Sequence, residues 1–237
     1  EADRQATAVA VFTASGPIGF ATGQGTAPLI AGAFGWPAVF PVFATSSVVG
    51  LALFWPTSRG RGRVHGTDPP TREELRSVVT NRTVWLVGAV AFLAYSVFLF
   101  VNSWAPSYLT EELSLSLALG GLLTALFPAV GVLSRVSGGV VSDRLLGGRR
   151  RPVLLWSFLV ATPAVAGFAA LRTVPVLVVA LLLAGFAIQL GLGLVFAYVR
   201  ELVDPGVAAT AVAFLTSVGL AGAFLAPIAG GALVGAA

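Results

Sequence analysis

Apolar residues run through this chain in long, nearly unbroken stretches, separated by short segments where arginine, glutamate, aspartate, glycine and proline collect. Seven stretches, Ala6 to Gly32, Trp36 to Trp55, Val84 to Ser103, Leu117 to Val141, Val153 to Leu171, Val174 to Tyr198 and Val207 to Val234, each lie near or above the roughly 20 residues that a helix needs to cross a bilayer. Strands of a membrane barrel would be shorter and alternate in polarity. These stretches are apolar on most faces and rich in alanine and glycine, so the pattern predicts helices and an all-α membrane protein. Aromatic residues mark several edges, among them Trp36, Trp55, Trp85, Trp104, Tyr108 and Trp156, as an interfacial belt does.

Composition agrees: 57% of residues are hydrophobic, 10% are charged, and the mean hydropathy is +0.92, which places the chain among integral membrane proteins. The net charge is +4 and every basic residue is arginine. On a soluble protein that balance points to nucleic acid, but here the arginines fall in loops that flank the spans, so no nucleic-acid partner is expected. Cysteine is absent and the single histidine, His65, lies in a loop, which removes disulfides and thiolate metal sites; no cofactor is expected. The sequence opens with Glu1 and enters an apolar helix within a few residues, so it reads as a fragment with neither a natural start nor a signal peptide.

Charge also sets orientation. Arg4 precedes the first span; Arg59, Arg61, Arg63, Arg72, Arg76 and Arg82 follow the second; Arg144 and Arg149 to Arg151 follow the fourth; Arg200 follows the sixth. The connections between carry Glu111 and Glu112, or Arg172 alone. By the positive-inside rule the arginine-rich loops face the cytoplasm, with the N-terminus inside a multi-pass protein of the plasma membrane. Residues 57–82 mix proline, glycine and charge, and Thr71 to Arg76 has the pattern of a short amphipathic helix. The segment reads as a linker between two helical bundles or as a solvated loop.

The stretch Arg135 to Arg151, RVSGGVVSDRLLGGRRR, combines an arginine inside an apolar helix with an exit into a basic loop. Gly139, Asp143, Arg144 and Arg149 to Arg151 resemble the loop signature of the major facilitator superfamily, G-x-x-x-D-R-x-G-R-R, which recurs once in each half of a twelve-helix transporter. An internal repeat agrees with that construction. Ala6 to Ala10 returns as Ala209 to Ala213, and Gly23-x-x-x-Ala27-Pro28-x-x-Ala31-Gly32 returns as Gly222-x-x-x-Ala226-Pro227-x-x-Gly230-Gly231, a degenerate form of the Gly/Pro pattern in helix five of many antiporters of the family. Phe34 to Phe40 resembles the family's turn between helices five and six. The resemblance implies that the spans are helices five to eleven, that helices one to four and twelve lie outside this sequence, and that residues 1–56 close the N-terminal bundle, 57–82 form a cytoplasmic linker and 83–237 begin the C-terminal bundle. The glycines of the repeat are expected to serve close helix packing or bending.

Arg135 is the candidate that most needs explaining. With the membrane edge near Ser142, its backbone lies seven residues deep, about 10 Å at 1.5 Å per residue. The guanidinium could snorkel outward from that depth. Against this, Gly131, Arg135, Gly138 and Ser142 share one small or polar stripe while Leu133, Val136 and Val140 form the apolar side, so the arginine is expected to face the bundle interior. None of the seven spans contains an acidic residue, which makes a bound anion a natural counter-charge. The run from Arg135 through Gly138, Gly139, Ser142 and Asp143 to Arg144 also resembles helix eight of the nitrate/nitrite porters and cyanate-type anion permeases. That resemblance implies a substrate-contacting arginine. The porters' asparagine-containing glycine signature is absent from the first and seventh spans, so the expected substrate is any small anion presenting two oxygens.

Gln24, Tyr95, Asn102 and Gln189 are polar groups in otherwise apolar spans, candidates either for the substrate pocket or for interhelical hydrogen bonds. Gly139, Asp143, Arg144, Arg149, Arg150 and Arg4 are candidates for a conformational gate, with Asp143 expected at the N-terminal end of the first span near Arg4. Asp204-Pro205 reads as an N-cap followed by a first-turn proline. No metalloprotease, esterase or phosphate-loop motif occurs, so an enzyme is not expected. The expected function is secondary transport of a small anion, in a lipid bilayer and with a proton or other coupling ion. The alternatives are a drug or metabolite efflux antiporter, in which Arg135 would be structural, and a non-transporting sensor on the same fold.

Overall fold

The computed structural model describes residues 2–59, 71–170 and 172–234, except for the side chains of 2–13, 136, 139, 140, 143, 169 and 234. His65 and the rest of residues 60–70 in the 57–82 segment lie outside the described residues. The ordinary elements are helices: α1 (Ala2–Phe34), α2 (Val39–Ser58), α3 (Arg72–Thr80), α4 (Arg82–Ser107), α5 (Leu117–Val140), α6 (Arg150–Ala166), α7 (Val174–Glu201) and α8 (Ala208–Val234). Among the described residues there is no strand. That follows from the solvent: in hydrocarbon every backbone N–H and C=O must find its partner within the segment, which a helix achieves. Proline lies inside α1, α2, α4, α5, α6 and α8, as helices in a membrane tolerate.

All seven expected spans are helices, and among the described residues five helical stretches are long and apolar enough to cross a membrane. Of the two others, helix α6 has 17 residues, at the short end of what a bilayer needs, and the first side chains of the 33-residue α1 lie outside the described residues.

Helix α4 packs along α8, α1 along α5, and α5 and α6 along α7, whereas α2 touches α1 only lightly and buries no residue. The core has two parts. One gathers Val78, Val87, Val195, Val199 and Leu215 towards the arginine-rich end, and the other gathers Phe98, Leu109, Phe127, Leu181 and Ile188 towards the opposite end. The apolar outer surface, including Trp36, Trp55, Trp85 and Trp156, is at least half exposed, as a lipid-facing belt would be.

The short helix expected at Thr71 to Arg76 is α3, one turn longer than its sequence pattern. Thr71 and Glu74 form a capping box. The Glu74 N–H donates to Thr71 Oγ1 at 3.2 Å, while the Thr71 N–H and hydroxyl donate to Glu74 Oε2 at 2.7 and 2.9 Å. The Thr71 backbone N–H, and then its hydroxyl, hold the Glu74 carboxyl below the usual carboxylate range. Val78, fully buried, plugs α3 into the core beneath α8. Asp204 takes the N-cap position with Pro205 in the first turn, as expected, but of a 3-10 turn, Pro205–Val207, and its side chain makes no capping hydrogen bond.

Candidate functional site

A cleft of about 580 Å³ separates α1 from α4, lined on one side by Gly16, Gly19 and Gly23 and on the other by Leu99, Asn102 and Ser103. Side chains would begin in open space at Gly19 and Gly23, with no heavy atom within 4 Å. Among the described residues no packing partner stands opposite these two glycines or Gly32, whereas Gly222 and Gly230 are closely packed.

Arg135 of α5 comes close to the Gly16 end of this cleft without being one of its lining residues. Its Nη1 lies 4.0 Å from the point where a side chain on Gly16 would start, and its backbone and proximal methylenes lie 3.6 to 3.7 Å from the corresponding point at Gly193 of α7. Leu133, on the opposite face, is 68% exposed, so the stripe carrying Arg135 is the one turned towards the other helices. Tyr95 of α4 interacts electrostatically with Arg135, and its ring rests on Gly219 of α8, where a Cβ would lie 2.6 Å from Cδ2. Helices α1 and α4 thus approach the guanidinium itself, while α7 packs on the Arg135 stem.

One and two turns from Gly16 along α1, Phe20 and Gln24 cross to α4. Phe20 meets Phe98 edge to face at 5.3 Å, and Gln24 Nε2 donates to the Asn102 side-chain and backbone oxygens at 2.9 and 3.1 Å. Asn102 in turn donates to the Phe98 carbonyl at 2.6 Å, so its amide is committed on both sides. Gln24 and Asn102 form one unit, then, and close one end of the cleft. Gln189 lies elsewhere. It is fully buried behind Arg135, donating from Nε2 to the carbonyls of Phe127 and Pro128 at 3.1 Å each, which makes it a strut between α7 and α5 and not a wall of the cleft.

At the arginine-rich end α5 finishes in a π-helical turn, Val141–Leu145, and Gly147 and Gly148 turn the chain with φ of +57° and +79°, a left-handed conformation that glycine adopts without strain. Arg150, in the first turn of α6, donates to Ser142 Oγ at 2.8 Å and pairs with Glu201 at the end of α7 at 2.9 Å. Arg149 and Arg144 are exposed. The side chains of Asp143 and Arg4 lie outside the described residues, as does the expected contact between them. Backbone placement brings their helices together, because Pro28 meets Gly121 and Arg135 meets Gly16, an antiparallel run that sets the start of α1 beside the end of α5.

Glu201 and Tyr198, which receives a hydrogen bond from Arg151 at 2.8 Å, were not singled out by the sequence reading. The available signal was a carboxylate in the basic end of the bundle, directly after Arg200. Among the described residues no group of three or more histidine, aspartate or glutamate side chains could hold a metal.

Known proteins resemble the chain in the same terms. It is 29% identical over 133 residues to the nitrite extrusion protein of Bacillus subtilis, covering 55% of this chain and 33% of that one. It is 30% identical over 76 residues to a probable hexose phosphate transport protein of Chlamydia muridarum, covering 32% and 17%. A crystal structure of a bacterial homologue of the human lysosomal transporter Spinster, inward-facing and unoccupied, superimposes with a TM-score of 0.67 over 81% of this chain and 43% of the other, at 21% identity. The chain spans a third or less of the length of these two curated relatives. The sequence pattern of the Major Facilitator Superfamily matches residues 1–227, in keeping with the helical fold, and the chain belongs to the Major Facilitator Superfamily.

Proposed function

We propose that this chain is part of a secondary transporter that moves a small anion by alternating access, with Arg135 as the electrostatic anchor of the substrate. The observation that carries the reading is the guanidinium beside Gly16, at the edge of a cleft between α1 and α4. An arginine within a span is expensive, and placing it against a cavity instead of lipid is the arrangement expected of a substrate path. Its planar fork suits an anion with two oxygens. Nitrite and hexose phosphate, named in two relatives, are both oxyanions. The superfamily is one of transporters, and the chemistry here is binding and gating, not catalysis.

In this reading residues 1–56 belong to the N-terminal bundle, 83–237 to the C-terminal bundle and 57–82 to the linker, with the arginine-rich end at the cytoplasmic face of the plasma membrane. Tyr95 supports the anchor from α4. Gln24 and Asn102 act as a clasp between the bundles. The loop carrying Gly139, Asp143, Arg144, Arg149 and Arg150, with Arg4 opposite, forms the cytoplasmic gate, and Ser142 and Glu201 hold Arg150 within it. A proton or other ion couples the cycle.

Uptake of nitrite, nitrate, glucuronate and glucose 6-phosphate into proteoliposomes bearing the full-length protein tests this, alongside Arg135→Gln with folding checked in both. Flux of at least one anion, lost in the variant, is expected. Flux that survives the substitution makes Arg135 structural, and binding without flux in either protein selects the sensor reading.

A further inference from the structure

Along the seam between α5 and α7 a glycine on one helix faces a residue of the other every four positions, against backbone at Gly185, a side-chain amide at Gly131 and the base of a side chain at Gly193. Phe127 of α5 lies over Gly185 of α7, Gln189 of α7 lies over Gly131 of α5, and Arg135 of α5 lies over Gly193 of α7. The numbers rise together, so the two helices run parallel and the seam is a ladder of three reciprocal seats. At Gly185 a Cβ would collide with the Phe127 carbonyl, and at Gly131 it would overlap the Gln189 side-chain amide. Below the ladder, Gly138 lets the Leu190 carbonyl approach to 3.3 Å of where its side chain would begin. Ser134 adds a cross-link to the Phe186 carbonyl at 2.6 Å.

The middle seat is the unusual one. Gln189 is fully buried, and its amide nitrogen serves two consecutive carbonyls, Phe127 and Pro128, at the proline of α5. Its Oε1 is buried with no hydrogen-bond partner. Reversing the amide would not relieve this, since it would set that oxygen against the same two carbonyls. An unsatisfied acceptor in a span is costly, and an apolar residue of equal volume would avoid it. The side chain is therefore retained for what its donors fix.

We propose that Gln189, seated on Gly131, is a positioning residue for Arg135: it locks the rotation and register of α5 on α7, so that the residue one turn further along α5 is aimed at the cleft. The proposal rests on the anion reading above for its functional consequence, but the geometric part stands without it. A helix rotating about its axis moves a long side chain through several ångströms at its tip. The amide prevents this by gripping two successive carbonyls at one level while Gly131 admits no alternative seat. Gly193 then gives the Arg135 stem a smooth track towards Gly16.

The test uses the full-length protein in four versions: unaltered, Gly131→Ala, Gln189→Ala and the double variant, with Gln189→Met as a fifth that keeps the side-chain volume without the donors. Two readouts are taken on folded protein. The first, which needs no substrate, is the rate at which phenylglyoxal modifies Arg135, followed by peptide mass spectrometry. The second is KM and kcat for nitrite and for glucose 6-phosphate uptake. Each single variant and Gln189→Met is expected to change the Arg135 modification rate several-fold and to raise KM about ten-fold with a smaller change in kcat. The double variant, in which the alanine methyl occupies space vacated by the amide, is expected to recover part of both losses. If the modification rate stays the same in all variants, the positioning role is overturned, even where Arg135→Gln has shown the arginine to be essential. Should Arg135→Gln leave flux intact, the anion reading fails while the modification rates still decide the geometry. Should the alanine variants fail to fold, Gln189→Met alone decides: an unchanged rate refutes the proposal.

Discussion

Helices α1 and α8 carry the same Gly/Pro pattern and put it to opposite uses. In α8, Gly222 sits so close to α4 that a Cβ would collide with the Phe92 carbonyl and lie 2.7 Å from Ser96 Oγ, Gly230 is covered by Phe100 and Trp104, and the Pro227 carbonyl accepts from Trp104 Nε1 at 3.4 Å. In α1, Gly23 and Gly32 meet nothing within 4 Å, and only the proline keeps a close contact, Pro28 against Gly121. A small-residue pattern is permission for two helices to approach, and the approach happens only where a partner stands opposite. In α8 the permission is taken up by α4 as a fixed seam. In α1 Gly23 borders the cleft, where empty space has a use on the transport reading.

Four substitutions or conditions would break or sharpen that contrast. The largest effect is expected at the fixed seam: Gly222→Val should destabilise the folded protein by about 3 kcal/mol through overpacking, read as thermal stability in detergent, while Gly23→Val should stay within about 0.5 kcal/mol. Equal losses at the two sites would mean that α1 is seated as tightly as α8. The valine at position 23 should nevertheless lower uptake, because it projects into the cleft, and an unchanged KM would show that substrate does not pass there.

A smaller effect is expected at the clasp. Asn102→Ala removes the side-chain acceptor for Gln24, a loss of about 1 kcal/mol for one interhelical hydrogen bond within a membrane. These 237 residues contain no cysteine, so a thiol introduced in place of Ser103, in a protein cleared of any cysteine elsewhere, reports the opening of the cleft. Maleimide labelling should accelerate several-fold in the Asn102→Ala protein, and an unaltered rate would remove the clasp from the gating account.

The smallest effect lies at α3, outside the bilayer. The Glu74 carboxyl is held below its ordinary value in the folded chain, so the capping box stabilises α3 above the unfolded-state pKa, about 4.3, and this contribution disappears as pH falls through the folded-state value. Amide exchange over residues 72–80 should accelerate in acid, and Glu74→Gln, which preserves the cap without a titrating group, should abolish the acid dependence. Persistence of that dependence in the glutamine protein would assign it to another group.

Much of the fold was legible because a membrane leaves the backbone few choices. Long apolar runs must be helices, and the arginines between them fix which ends lie together. The site was legible in part. Arg135 stood out because a charge in an apolar run is costly, and its side of α5 followed from the spacing of Gly131, Gly138 and Leu133. Gln24, Asn102 and Gln189 looked alike, three amides in three spans, yet two bridge α1 and α4 beside the cleft while the third is sealed inside a seam. Glu201 was hidden for the converse reason: an acidic residue at a loop is ordinary until Arg150 is seen against it.

The sequence by itself determined that this chain is a bundle of membrane helices of the Major Facilitator Superfamily, which ends of those helices are basic, and that one arginine lies within a span. Only the tertiary structure decided which glycines are seats and which are empty space, which amides are struts, and where the guanidinium points. The reason is physical. Hydropathy and charge act on each segment through its solvent and can be read segment by segment, whereas the role of a glycine or an amide depends on the atoms a second helix brings within a few ångströms, and no single segment contains that information.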